Sequence, residues 1–131
     1  MTAKKIWANL AVSDLQRTTK FYTELGFKSN NTQASNELTS FKIGDDDFVV
    51  HFFLKEVLQS NINGNLTDPK QGNEVIFSLS AESKEEVDEW VTKVRNAGGT
   101  ICIESKEIGK GYFCVFSDPD GHKYNVLYWP G

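Results

Sequence analysis

Alternating apolar and polar residues mark the first element of the chain. Between Lys5 and Val12, every second residue is apolar, starting with Ile6. A period of two predicts a β-strand, because successive side chains of a strand point to opposite faces. The apolar set forms one face of this strand, and Trp7 and Asn9 fall on the other.

A helix is predicted directly after this strand. Ser13 is a candidate N-cap, and Gln16 three residues later completes a capping-box pattern. The helix should run from Asp14 to about Leu25 and end at Gly26. One helical face is formed by Leu15, Thr18, Tyr22 and Leu25.

Two further apolar runs predict a β-hairpin. They cover Glu37 to Ile43 and Phe48 to Leu54, and residues 44–47, Gly-Asp-Asp-Asp, form the turn between them. A weaker pattern around Lys28 indicates one more short strand. The polar residues 57–73 are interpreted as a linker.

The same order of elements recurs in the second half. Glu74 to Ser80 alternates like a strand, Ser83 and Glu86 form a second capping box, and Gly98 follows the second helix. The remaining strand patterns cover Thr100–Glu104, Tyr112–Ser117 and Lys123–Tyr128. The predicted N-caps Ser13 and Ser83 lie 70 positions apart in 131 residues. An internal duplication is the simplest account of this spacing.

Composition restricts the partners of the chain. The net charge is -4, from 18 acidic and 14 basic residues, and no run of Lys and Arg provides a binding surface for nucleic acid. No segment approaches the ~20 apolar residues of a membrane span, and no secretion-signal pattern follows the N-terminus. We therefore expect a soluble, cytoplasmic protein in which Cys102 and Cys114 stay reduced.

Motifs at both ends of the chain resemble those of one known family. Residues 9–15, Asn-Leu-Ala-Val-Ser-Asp-Leu, precede the pairs Phe21-Tyr22 and Gly26-Phe27. Residues 116–122 read Phe-Ser-Asp-Pro-Asp-Gly-His. These motifs resemble the opening strand and helix and the closing hairpin of the glyoxalase/bleomycin-resistance family, the vicinal oxygen chelate superfamily. Within it, the chain is most similar to predicted lactoylglutathione lyases.

The resemblance implies an α+β fold of paired βαβββ modules. In this family the modules form a U-shaped, mostly antiparallel sheet around a cavity, usually in a homodimer. We therefore expect a single domain over residues 1–131. Its first module covers about 1–56, its linker 57–73 and its second module about 74–131.

The resemblance also places four metal-ligand positions. Metal-dependent members carry one ligand on each of four strands, typically two His and two Glu. Here these positions match Trp7, His51 or a neighbour of it, Glu74 or Val75, and Asn125. Indole offers no lone pair for a metal, and an amide is a weak neutral ligand. Two possible ligands remain, whereas a catalytic metal site normally keeps three good ones.

Each candidate side chain also has a simpler interpretation. His51 can be a buried histidine satisfied by a hydrogen bond, and Glu74 a solvated carboxylate at a strand end. If both face the cavity, they could act together as acid and base. Trp7 and Asn9 can belong to ordinary sheet packing or can form the wall of a pocket for a planar compound.

The closing turn is expected to be structural. Asp118 and Asp120 suit the turn itself, because aspartate side chains accept hydrogen bonds from nearby backbone N–H groups. His122 should lie at an exposed edge.

Three functional hypotheses follow. The two lost ligand positions favour a small-molecule-binding protein without a metal, whose ligand-binding residues are Trp7, Asn9, His51, Glu74 and Asn125. The alternative is a lyase, isomerase or dioxygenase of the lactoylglutathione lyase type, which uses a divalent metal at His51 and Glu74. The third is a domain with no ligand function.

Overall fold

Two four-stranded sheets, one in each half of the chain, organise the computed structural model, which describes residues 1–131. The chain divides into unit 1, Met1–Leu66, and unit 2, Thr67–Gly131. The boundary between the units falls inside the segment predicted as a linker. None of the helices is long and apolar enough to cross a bilayer.

Unit 1 contains one complete βαβββ module and an additional helix. Its elements are β1 (Ala8–Val12), α1 (Leu15–Glu24), β2 (Lys28–Ser29), β3 (Leu38–Ile43), β4 (Phe48–Leu54) and α2 (Lys55–Ile62). The sheet order is β1-β4-β3-β2, with β1 parallel to β4 and the other pairs antiparallel.

Unit 2 repeats this topology. Its elements are β5 (Ile76–Ala81), α3 (Lys84–Ala97), β6 (Thr100–Ile108), β7 (Gly111–Ser117) and β8 (Lys123–Tyr128). The sheet order is β5-β8-β7-β6, again with one parallel pair, β5 and β8. The predicted α+β fold of two βαβββ modules is confirmed.

Aromatic rings join each helix to its sheet. In unit 1, Tyr22 of α1 is fully buried and stacks on Phe52 of β4, with ring centroids 4.5 Å apart. In unit 2, Phe116 of β7 stacks on Trp90 of α3 at 6.0 Å and on Tyr124 of β8 at 5.0 Å. Stacked rings bury large apolar areas, so each unit has its core between one helix and one sheet face.

The first helix begins one residue later than predicted. Its N-cap is Asp14, whose Oδ1 accepts a hydrogen bond of 3.0 Å from the Arg17 N–H. The Ser13 hydroxyl instead accepts a hydrogen bond of 2.9 Å from the Arg17 guanidinium. A carboxylate is a stronger acceptor than a hydroxyl and is favoured by the helix dipole, which explains why Asp14 takes this place.

The second predicted N-cap is confirmed. The Ser83 Oγ accepts a hydrogen bond of 3.1 Å from the Glu86 N–H. The Glu86 carboxylate accepts one of 2.7 Å from the Glu82 N–H, the residue before the N-cap. The true N-caps, Asp14 and Ser83, are therefore 69 positions apart.

Several other segments differ from the sequence prediction, among them β5, which begins at Ile76 rather than Glu74, and β6, which continues to Ile108 rather than ending at Glu104. The first strand begins at Ala8 rather than Lys5, because its pairing with β4 starts at the Ala8–Val50 pair. The segment interpreted as a linker overlaps α2, which ends at Asn63 in the left-handed region with φ 52. The apolar pattern of the sequence did not reveal this helix, because Leu58 is its one buried residue.

We predict that Asp14→Ala lowers the free energy of unfolding by about 1 kcal/mol, the usual cost of losing an N-cap side chain. Ser13→Ala is the matched control. It should lower the free energy of unfolding by less than about half of this amount, because Ser13 is exposed and does not cap the helix. Urea denaturation measures both variants. A larger loss in Ser13→Ala than in Asp14→Ala would contradict the assigned cap.

Candidate functional site

The candidate site of unit 1 lies on the sheet face that points away from α1. Asn9 of β1 and Ser40 of β3 both pair with His51 of β4, so these three side chains share one face. The neighbouring Phe52 points to the opposite face, where it meets Tyr22 of α1. The strand register therefore brings Asn9 and His51 to one face, which alternation within each strand does not determine by itself.

The His51 ring is held between two aromatic side chains. Its centroid lies 6.4 Å from that of Trp7 and 6.0 Å from that of Phe53, both in edge-to-face arrangements at 74° and 76°. Trp7 lies one residue before β1 and is 53% exposed. About half of this side chain is therefore open to solvent.

His51 carries a buried polar atom that the chain does not satisfy. Its Nδ1 is inaccessible to solvent and has no hydrogen-bond partner, unlike the satisfied histidine of the simpler interpretation. An unsatisfied buried polar atom costs about 1–3 kcal/mol. Burial also lowers the pKa of His51 from its ordinary value of 6.5, which favours the neutral ring. The ring can then donate through one nitrogen and accept through the other.

A groove of ≈ 730 Å³ lies beside this ring. Trp7 and His51 line it together with Lys5 from the N-terminal segment, Lys42 of β3 and Phe48 of β4. A second groove, of ≈ 710 Å³, lies between α1 and residues 31–39 and contains none of the predicted site residues. The groove beside His51 is therefore the better candidate for a binding site in unit 1.

In unit 2, Asn125 occupies the position that His51 has in unit 1. Asn125 pairs with Ser78 across the parallel strands, and its Nδ2 donates a hydrogen bond of 3.3 Å to the Ser78 Oγ. The offset of 69 between the N-caps likewise relates Asn9 to Ser78. The sequence interpretation missed Ser78, because the predicted offset of 70 between Ser13 and Ser83 relates Asn9 to Leu79 instead.

Glu74 lies outside the sheet of unit 2. It is exposed and sits in a bend two residues before β5. The same offset of 69 relates Trp7 to Ile76, which is 56% exposed. Both modules therefore have a large apolar side chain at the start of their first strand: Trp7 directly precedes β1, and Ile76 is the first residue of β5.

The donor set of the chain does not fit a metal ion. No three His, Cys, Asp or Glu side chains lie close enough together to hold one. His51 is the one good donor among the positions that the repeat relates, since the others carry an indole, an aliphatic side chain and an amide. A catalytic zinc site normally takes three such donors from the protein.

The closing turn holds a buried Asp–His pair. Asp118 Oδ1 accepts hydrogen bonds from the N–H groups of Asp120, Gly121 and His122 at 3.1, 2.9 and 2.9 Å, as its predicted role in the turn requires. His122, expected at an exposed edge, is buried, and its Nδ1 lies 2.8 Å from Asp118 Oδ2. The tight turn folds the imidazole back onto the carboxylate, which strand alternation alone does not reveal.

Comparison with known proteins agrees with this architecture. The family model of the Glyoxalase/Bleomycin resistance protein/Dioxygenase superfamily matches residues 6–126. A solved structure of the hypothetical protein SA1046 from S. aureus is 32% identical over 98% of this chain and 96% of that chain, with a TM-score of 0.86. No curated protein matches the chain.

Two more distant structures share the fold alone. A glyoxalase-related enzyme from Fulvimarina pelagi is 20% identical over 98% of this chain and 90% of that chain, with a TM-score of 0.84. A lactoylglutathione lyase from Agrobacterium tumefaciens is 22% identical over 97% and 95%, with a TM-score of 0.67.

We predict that His51 titrates below its ordinary pKa of 6.5, since burial disfavours its charged form. Between the folded and unfolded pKa values, the unfolded chain binds more protons, so the free energy of unfolding falls as the pH drops below about 6.5. NMR titration of the imidazole C–H signals measures the pKa. His51→Gln assigns the signal and should remove this part of the pH dependence, whereas titration of His51 at or above 6.5 would contradict the prediction.

Proposed function

The chain belongs to the glyoxalase/bleomycin resistance protein/dioxygenase superfamily, and we propose that it binds a small planar molecule beside His51 without a metal ion. The observation that carries the proposal is the His51 ring in the lining of the groove, whose buried Nδ1 has no partner in the chain. Buried polar groups of folded proteins usually have partners, and an exception at a groove is a candidate binding feature.

The surroundings of His51 suit a planar ligand. Trp7 presents a half-exposed ring beside it, and aromatic rings stack on flat compounds through their faces. Asn9 adds an exposed amide on the same sheet face, which can donate and accept hydrogen bonds. A ring for stacking and a few polar groups for orientation are the usual components of a small-molecule site.

Asn125 and Ser78 add a second polar pair at the equivalent position of unit 2. We assign them the same kind of role, hydrogen bonding to a ligand. We assign Glu74 no role in acid–base chemistry, because it lies in a bend outside the sheet that carries Asn125. The homodimer is a prediction from the family resemblance, and the cytoplasmic location is a prediction from the sequence.

We predict that the protein, purified without chelators, contains no stoichiometric metal, because His51 is the one good donor among the related positions and a catalytic zinc site normally takes three. Elemental mass spectrometry measures the metal content before and after incubation with zinc, nickel, iron and manganese salts. His51→Ala is the control. Near-stoichiometric metal that disappears in this variant would overturn the proposal and favour the metal-dependent lyase, isomerase or dioxygenase.

We further predict that a neutral planar probe, 2-acetonaphthone, changes the fluorescence of Trp7 on binding. The change should disappear in Trp7→Phe but persist in Trp129→Phe, a matched control whose ring is 52% exposed compared with 53% for Trp7. His51→Ala should weaken binding about tenfold through the loss of a hydrogen bond. An equal fluorescence change in all these variants would show that binding occurs elsewhere.

A further inference from the structure

Lysine side chains surround the groove beside His51, although the protein as a whole is acidic. Lys4, Lys5 and Lys42 line this groove, whereas the chain carries a net charge of -4. Its acidic lining residues are Asp46 and Asp47 of the β3–β4 hairpin, and Asp47 already forms an ion pair of 3.6 Å with Lys28. The groove is thus locally positive on an acidic protein.

Two of the lysines are direct neighbours across the sheet. Lys28 of β2 pairs with Lys42 of β3, so both side chains project from the same face. Like charges that lie directly opposite each other destabilise a sheet. Asp47 offsets the charge of Lys28, but Lys42 takes part in none of the ion pairs of the chain. An anion bound beside Lys42 would relieve this repulsion.

The N-terminal segment adds positive charge on the same groove. Lys4 and Lys5 are exposed, form no ion pair, and come directly before Ile6 and Trp7, which also line the groove. Unpaired charges over an apolar wall attract ions of the opposite sign from solution. The stacking ring of Trp7 and these ammonium groups therefore face the same space.

We infer that the groove beside His51 selects planar aromatic anions, such as aryl carboxylates, with the ring on Trp7 and the anionic group between Lys5 and Lys42. The inference rests on the proposed function and narrows its ligand class. His51 then contributes a hydrogen bond through its ring.

The test compares two probes that share a ring system and differ in charge, 2-naphthoate and the neutral 2-acetonaphthone. Isothermal titration calorimetry at neutral pH measures both dissociation constants. Naphthoate should bind about fivefold more tightly or better, the effect of one screened charge at contact distance. Its affinity, unlike that of the ketone, should fall as NaCl rises from about 20 to 300 mM.

Lys42→Ala provides the decisive variant. It should weaken naphthoate binding about fivefold more than it weakens ketone binding, since the lost charge acts on the anion alone. Lys20→Ala is the matched control, because Lys20 is an exposed lysine on α1, which packs on the opposite face of the same sheet. It should change neither affinity.

The remaining outcomes separate this inference from the proposed function. Equal affinity for both probes, with no effect of Lys42→Ala, would overturn the anion selectivity and leave planar-ligand binding intact. Binding of neither probe would overturn both. Equal losses in Lys42→Ala and Lys20→Ala would show that only the overall charge matters, which also overturns the inference.

Discussion

One helix packs on one face of each four-stranded sheet. The candidate site lies on the opposite face, so its position depends on this arrangement. The rings of Tyr22 and Trp90 pack onto the inner faces of the two sheets and form the aromatic core of each unit. Because strand side chains alternate, every buried residue such as Phe52 leaves its neighbour on the opposite face. His51 and Asn125 therefore project away from the helices without any special feature of the backbone at these positions.

The two modules keep the same backbone but differ in the chemistry of their open faces. The offset that relates the N-caps also relates Asn9 to Ser78 and Trp7 to Ile76, and the strand pairing relates His51 to Asn125. Residues on the open face do not contribute to the core beneath, so they can change while the fold persists. The core residues that hold the fold are thus different from the residues of the open face. This difference explains how the chain keeps the superfamily fold with one good metal donor among these positions.

Local signals in the sequence predicted some features well and others poorly. The Ser83 cap is a contact between residues close in sequence, and the order of strands and helices follows local periodicity; the structure confirms both. Ser13 and Asp14 are both acceptable caps by residue type, so the choice between them needed the backbone geometry. The short α2 escaped notice because a helix with a single buried residue, Leu58, has almost no apolar periodicity.

The sequence by itself determined which residues of one strand share a face, such as Trp7 and Asn9, because the period of a strand is a local property of the backbone. The register between β1 and β4, which puts Asn9 and His51 on the same side of the sheet, came only from the tertiary structure. Only the tertiary structure decided which polar atoms find partners: His51 Nδ1 has none, whereas Asp118 holds the buried His122. Satisfaction of a polar atom depends on groups that packing brings within about 3 Å, and sequence spacing does not encode those distances.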